Sequence, residues 1–197
     1  MRWVAAGLLV AALSATGSAV GAADVEGPRA LTQRVLAQSN AIVRADGERK
    51  AKLASLGDLL RGFLDTEALA RLAAGTNLDG RTPAQVDEFL RLFQDFFVRT
   101  YVQRLLLFDA PDFAFGDERV DGDTARVATE VVTAQDRFAV DYVLRRTGAG
   151  WRATDIVVEG VSLARNFRSQ FDAAVAKSSF EGLLERLRAK TAAQETS

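Results

Sequence analysis

Apolar residues recur at helical spacing through the first half of the chain, then at every second position from about residue 113. This change of period predicts helices, then a sheet, then helices again. Leu31, Val35 and Ile42 fall near one face of a helix predicted over 28–43, with Leu36 beside it. After the turn Ala45-Asp46-Gly47, a second helix over 48–64 carries Leu53, Leu56, Leu59, Leu60, Phe63 and Leu64. Asp65 is placed to cap a short helix that runs to Ala74, with Gly75 at C′.

The longest predicted helix covers 82–108. Its start is marked by Thr82 as N-cap, Pro83 at the first helical position and Gln85 three residues after the cap. Val86, Phe89, Leu90, Phe93, Phe96, Phe97, Val102, Leu105 and Leu106 follow. Their arc is wider than the roughly 100° of an ordinary surface helix. Two readings stand: a central helix packed on several sides, or an arc that partly lines a cavity for an apolar ligand.

Four strands are predicted over 113–120, 124–134, 137–147 and 151–159. The turns between them are short, so neighbours must be antiparallel. In the third strand Phe138, Val140, Tyr142 and Leu144 share one face, and Arg137, Asp141 and Arg145 the other. Pairing Thr147 with Trp151 sets Tyr142 opposite Ile156 and Val140 opposite Val158, which builds one broad apolar face for helices to cover. A slip of one residue would pair Val140 with Val157 instead. Gly160 ends the last strand. Ser162 can cap a helix over 162–177, where Leu163, Asn166, Phe167, Gln170 and Phe171 recur at helical spacing. A last helix over 180–190 buries Leu183, Leu184 and Leu187, and 191–197 reads as a frayed polar tail. The fold class is α+β: a four-stranded antiparallel meander covered by N- and C-terminal helices.

Residues 1–23 have a different organisation. Arg2 precedes an uncharged apolar run over 3–15, and small residues fill 18–23. This is the pattern of a cleaved secretory signal peptide. Residues 24–197 then form a single domain, without repeats or low-complexity linkers.

Composition narrows the chemistry. The 197 residues include no Cys and no His. That excludes disulfides, thiolate metal sites and a Cys nucleophile, and removes the commonest general base. The net charge of −1 is not the basic footprint of a nucleic-acid binder. Asp141 and Asp155 interrupt apolar strands and share a face, so a close pair could do acid–base work. Alternatively each pairs with Arg145, Arg152 or Arg165, or caps the sheet edge. Ser162 stands at a strand-to-helix turn that resembles a nucleophile elbow, but it lacks the second Gly and any His partner. It reads as an N-cap. Arg165 and Arg168 near the start of that helix could meet a phosphate or lie on the surface. No Gly-rich phosphate loop and no acidic calcium loop is present, so no cofactor or metal is implied.

Val140-Asp141-Tyr142, then Trp151, Asp155, Glu159-Gly160-Val161-Ser162-Leu163 and Asn166-Phe167-Arg168-Ser169-Gln170-Phe171 carry a resemblance to the MlaC (toluene-tolerance) family. Phe167 stands where that family usually has Tyr. Phe180-Glu181-Gly182-Leu183-Leu184 resembles the family's closing helix, and the likeness spans essentially all of 24–197. The resemblance implies an NTF2-like fold and a periplasmic phospholipid carrier without catalytic residues. Such a carrier is expected to be monomeric. It shuttles lipid between an outer-membrane lipoprotein complex and an inner-membrane ABC transporter with an MCE domain, and so maintains outer-membrane lipid asymmetry. By matching position, Phe138 and Val161 would face the acyl chains. The face argument adds Val140, Tyr142, Phe97, Tyr101 and Leu105. Two alternatives stay open: an NTF2-like enzyme with an Asp general base, and a carrier of another lipid such as a hopanoid.

Overall fold

The computed structural model describes residues 26–107 and 110–195; the expected signal peptide lies outside them. Three helices come first: α1 (Pro28–Arg44), α2 (Arg49–Phe63) and α3 (Thr66–Ala74), the last followed by a 3₁₀ turn over Gly75–Leu78. The long helix α4 (Pro83–Leu105) leads into β1 (Asp112–Asp121), β2 (Thr124–Val132), β3 (Arg137–Thr147), β4 (Gly150–Val158) and the two-residue β5 (Val161–Ser162). Helices α5 (Leu163–Lys177) and α6 (Phe180–Glu195) close the chain.

The expected caps form. The Thr82 hydroxyl accepts from the Gln85 N–H, and the Gln85 side chain reaches back to the Thr82 N–H, a reciprocal capping box. Asp65 accepts from the Ala68 N–H at 2.9 Å. The last helix continues to Glu195, past the expected end at Lys190. Ala192 and Ala193 favour helix, and the Thr191 hydroxyl returns its bond to the Leu187 carbonyl at 2.9 Å.

The sheet is an antiparallel meander in the order β1-β2-β3-β4-β5. Five strands stand where four were predicted. Glu159 and Gly160 adopt φ of 49° and 75°, the geometry of a tight two-residue hairpin turn, so the chain folds back and pairs Val161 with Val158.

The hairpin between β3 and β4 corrects one expectation and keeps its consequence. Thr147 pairs with Gly150, not Trp151. Thr154 is then an extra residue between the pairs Leu144–Ala153 and Val143–Asp155. This bulge restores Tyr142 opposite Ile156 and Val140 opposite Val158. Without it Asp155 would follow Ala153 onto the helix-covered face; with it Ile156 and Val158 turn inward and Asp155 turns out.

Helices cover the face formed by Ala125, Val127, Val131, Val140, Tyr142 and Leu144, all buried. The opposite face is polar, with ion pairs Arg126–Asp141 and Arg137–Glu130. Phe89, Phe93 and Phe97 of α4 are at most 1% exposed. They stand edge-on to α5: Phe93 meets Phe171 at 5.7 Å and Phe167 at 5.3 Å between ring centroids. Most of the Phe-rich arc is therefore packed core. The α2–α3 junction is pinned to the sheet, since the Asp65 N–H donates to the Ala153 carbonyl at 2.8 Å and Arg152 donates to the carbonyls of Arg61 and Leu64.

Candidate functional site

The C-terminal part of the same arc does something else. Tyr101 and Leu105, on the last two turns of α4, line a cavity of about 330 Å³ between the helices and the sheet. Phe138, Val140 and Tyr142 of β3 form its sheet wall with Ile156 and Val158 of β4. Helix α1 contributes Val35, Leu36 and Val43, and α2 contributes Leu59, Leu60 and Phe63. The strands meet the cavity at the start of β1 and β3 and the end of β2 and β4, which is one end of the meander. Val140, Tyr142 and Phe63 are buried and form the closed side. Phe113, Phe138, Leu105 and Val158 retain partial exposure, and Arg104 is exposed, so the opening lies toward them.

Of the seven side chains proposed from the sequence, five are brought together here: Tyr101, Leu105, Phe138, Val140 and Tyr142. Phe97 lies outside the lining. It is 1% exposed and backs the wall from behind, its ring 4.4 Å from that of Tyr101. Val161 shares the inner face through its pairing with Val158, yet it is 53% exposed and lies beyond the lining. The α1 and α2 residues were missed because nothing in their own spacing says what they face. Ile156 and Val158 could have been found, since the register already set them beside Tyr142 and Val140.

The few polar groups in the wall are mostly spent. The Ser39 hydroxyl donates to the Leu36 carbonyl at 2.8 Å, and the Asn40 amide donates to the Pro111 carbonyl at 2.7 Å. Tyr142 stands edge-on to Phe63 at 5.6 Å. Burial pushes its hydroxyl well above the usual tyrosine range, so it stays protonated. Burial also raises Tyr101, against the opposing charge of Arg104.

The carboxylates considered for catalysis lie elsewhere. Asp141 pairs with Arg126 on the polar face of the sheet, not with the arginines anticipated. Arg145 pairs instead with Asp65 at 3.1 Å. Asp155 accepts from the Ser162 hydroxyl and from the N–H groups of Ile156 and Ala164, and Ser162 accepts from the Arg165 N–H at 3.1 Å. That is a helix cap, as expected for Ser162. Arg168 lies against Gly75, and neither it nor Arg165 lines the cavity. Among the described residues, no group of three or more acidic side chains is placed to hold a metal ion.

An α+β domain that folds helices and an antiparallel sheet around one apolar cavity is a ligand-holding scaffold. The family model for the MlaC protein matches residues 29–189, and the chain belongs to the MlaC family. Its fold is similar to that of a solved phospholipid-binding protein from Ralstonia solanacearum in complex with a phospholipid. The two share 21% identity with a TM-score of 0.68, over 85% of this chain and 96% of the other.

Proposed function

We propose that the protein is a phospholipid carrier that takes acyl chains into the cavity and leaves the head group at its opening. The observation that carries this reading is the lining itself: twenty residues, of which Arg104 alone bears a charge. An acyl chain gains about 0.8 kcal/mol for each CH₂ it buries, so such a space can compete with a bilayer. The cavity is at the small end of ligand pockets, roughly 300–1,000 Å³, which suits a chain rather than a whole lipid. Membership of the MlaC family and the phospholipid bound by the Ralstonia protein support the same ligand. No reactive group is needed, because lipid is moved and not altered. In this reading the protein is exported and works in the periplasm as a monomer. It exchanges lipid with an MCE-domain ABC transporter of the inner membrane and a lipoprotein complex of the outer membrane, which maintains lipid asymmetry.

Native mass spectrometry of the full chain expressed in a Gram-negative host, with lipid extraction, tests the proposal. One phospholipid per protein is expected, and Phe138→Glu should diminish it while the fold survives. A protein that comes out empty and takes no lipid from phosphatidylglycerol vesicles would overturn the reading.

A further inference from the structure

Among the residues that line the cavity, Arg104 is the one charged side chain. It sits in the last turn of α4, lines the cavity and is exposed, so it stands at the rim. Its guanidinium lies over the Tyr101 ring, 5.4 Å from the centroid. This contact orients the side chain along the rim without using its N–H donors. No described residue accepts a hydrogen bond from Arg104 or forms an ion pair with it. Other cations of the fold differ. Arg44 donates to the Ala110 carbonyl at 3.0 Å, Lys52 donates to the Val43 carbonyl at 2.9 Å, and Arg145 and Arg126 hold carboxylates. Of the other polar side chains of the wall, Ser39 and Asn40 are spent and Tyr142 is buried, while Tyr101 lies half-buried beneath the guanidinium.

We propose that Arg104 binds the phosphate of the lipid head group, so that the carrier selects phosphate-bearing lipids over neutral lipids with the same chains. This rests on the phospholipid reading and sharpens it. A planar guanidinium offers paired donors that match two phosphate oxygens, and no carboxylate among the described residues has to be displaced first. An acyl chain in the cavity brings its phosphate to the rim, where Arg104 waits. A neutral polycyclic lipid or a diacylglycerol offers no such oxygens.

The test compares lipid-free wild type, Arg104→Gln and Arg104→Lys in binding dioleoyl phosphatidylglycerol and dioleoylglycerol. Wild type should prefer the phosphate lipid by about tenfold, the scale of a charge-assisted hydrogen bond. Arg104→Gln should remove that preference by weakening phosphatidylglycerol alone, and Arg104→Lys should keep part of it. An unchanged melting temperature is expected, because the side chain is exposed. Equal wild-type binding of the two lipids, or a preference that survives Arg104→Gln, overturns the proposal and leaves the carrier reading standing. Wild type that binds neither lipid overturns both.

Discussion

The Ser162 hydroxyl donates to the Asp155 carboxylate, which ties the end of β4 to the first turn of α5. These two residues carry the most suggestive pairing of oxygens in the chain, and both are occupied. Asp155 also accepts from the Ile156 and Ala164 N–H groups at 2.9 and 3.1 Å, and Ser162 is 3% exposed. Removing Asp155 leaves three donors without their acceptor, whereas removing Ser162 loses one cap. Ser162→Ala should therefore cost about 1 kcal/mol. Asp155→Ala should cost more, about 2–3 kcal/mol, in urea denaturation. The double variant should fall short of the sum, because the two share a bond. If Asp155→Ala left stability intact and abolished a hydrolytic turnover, the enzyme reading would return.

Gly75 is a second fixed point of the helical layer. Its φ of 54° with ψ of −132° is open to glycine and strained for any other residue, and a Cβ there would run into the Arg168 guanidinium. Arginine can swing away, so the backbone sets the cost. Gly75→Ala should lose about 1–3 kcal/mol in chemical denaturation. A variant as stable as wild type would show that the junction of α3 with its 3₁₀ turn relaxes easily.

The caps at Asp65, Thr82 and Ser162 were legible in the sequence because each acts within three residues. Register was legible where an apolar face forced it. Tyr142 faces Ile156 even though the turn pairs Thr147 with Gly150, since the Thr154 bulge absorbs the offset. The cavity was legible only in part. Phe97 and Tyr101 lie one helical turn apart on the same arc, yet the first is core and the second is wall. What separates them is α5. Its Phe167 reaches Phe93, Phe96 and Phe97, while Leu163, one turn earlier, already lies on the cavity. No spacing within α4 records where a helix more than fifty residues later begins to cover it.

The two tyrosines of the chain both line the cavity, and burial raises both hydroxyls above the ordinary tyrosine value of 10.0. In the unfolded chain they ionise near that value, while in the folded state they keep their protons. The unfolded state then binds fewer protons, so stability falls as pH rises through the ordinary tyrosine range and is fully present below it. Melting temperatures taken across alkaline pH should decline, and phenolate absorbance should rise together with unfolding. Tyr142→Phe should flatten that decline. At neutral pH the same variant should be neutral or slightly stabilising, because the hydroxyl makes no hydrogen bond to any described residue.

The filled core around α4 and the wall of the cavity should answer oppositely to changes in side-chain volume. Phe93 is fully buried among Phe89, Phe97, Phe167 and Phe171. Phe93→Ala opens a void where none exists and should cost about 3–5 kcal/mol. Val140 is 5% exposed on the closed side of a cavity that already exists. Val140→Phe adds atoms into empty space, so it should escape the usual 1–3 kcal/mol penalty of overpacking a filled core. It also removes volume from the site an acyl chain would occupy. The lipid-free variant should melt at or above the wild-type temperature, and lipid recovered per protein should fall by at least about half, given a cavity near the lower limit for ligands. Val140→Phe that retains its full lipid load would place the acyl chains elsewhere in the fold. A large loss of stability would show that the space is filled by motion of α1 and α2 in the free protein.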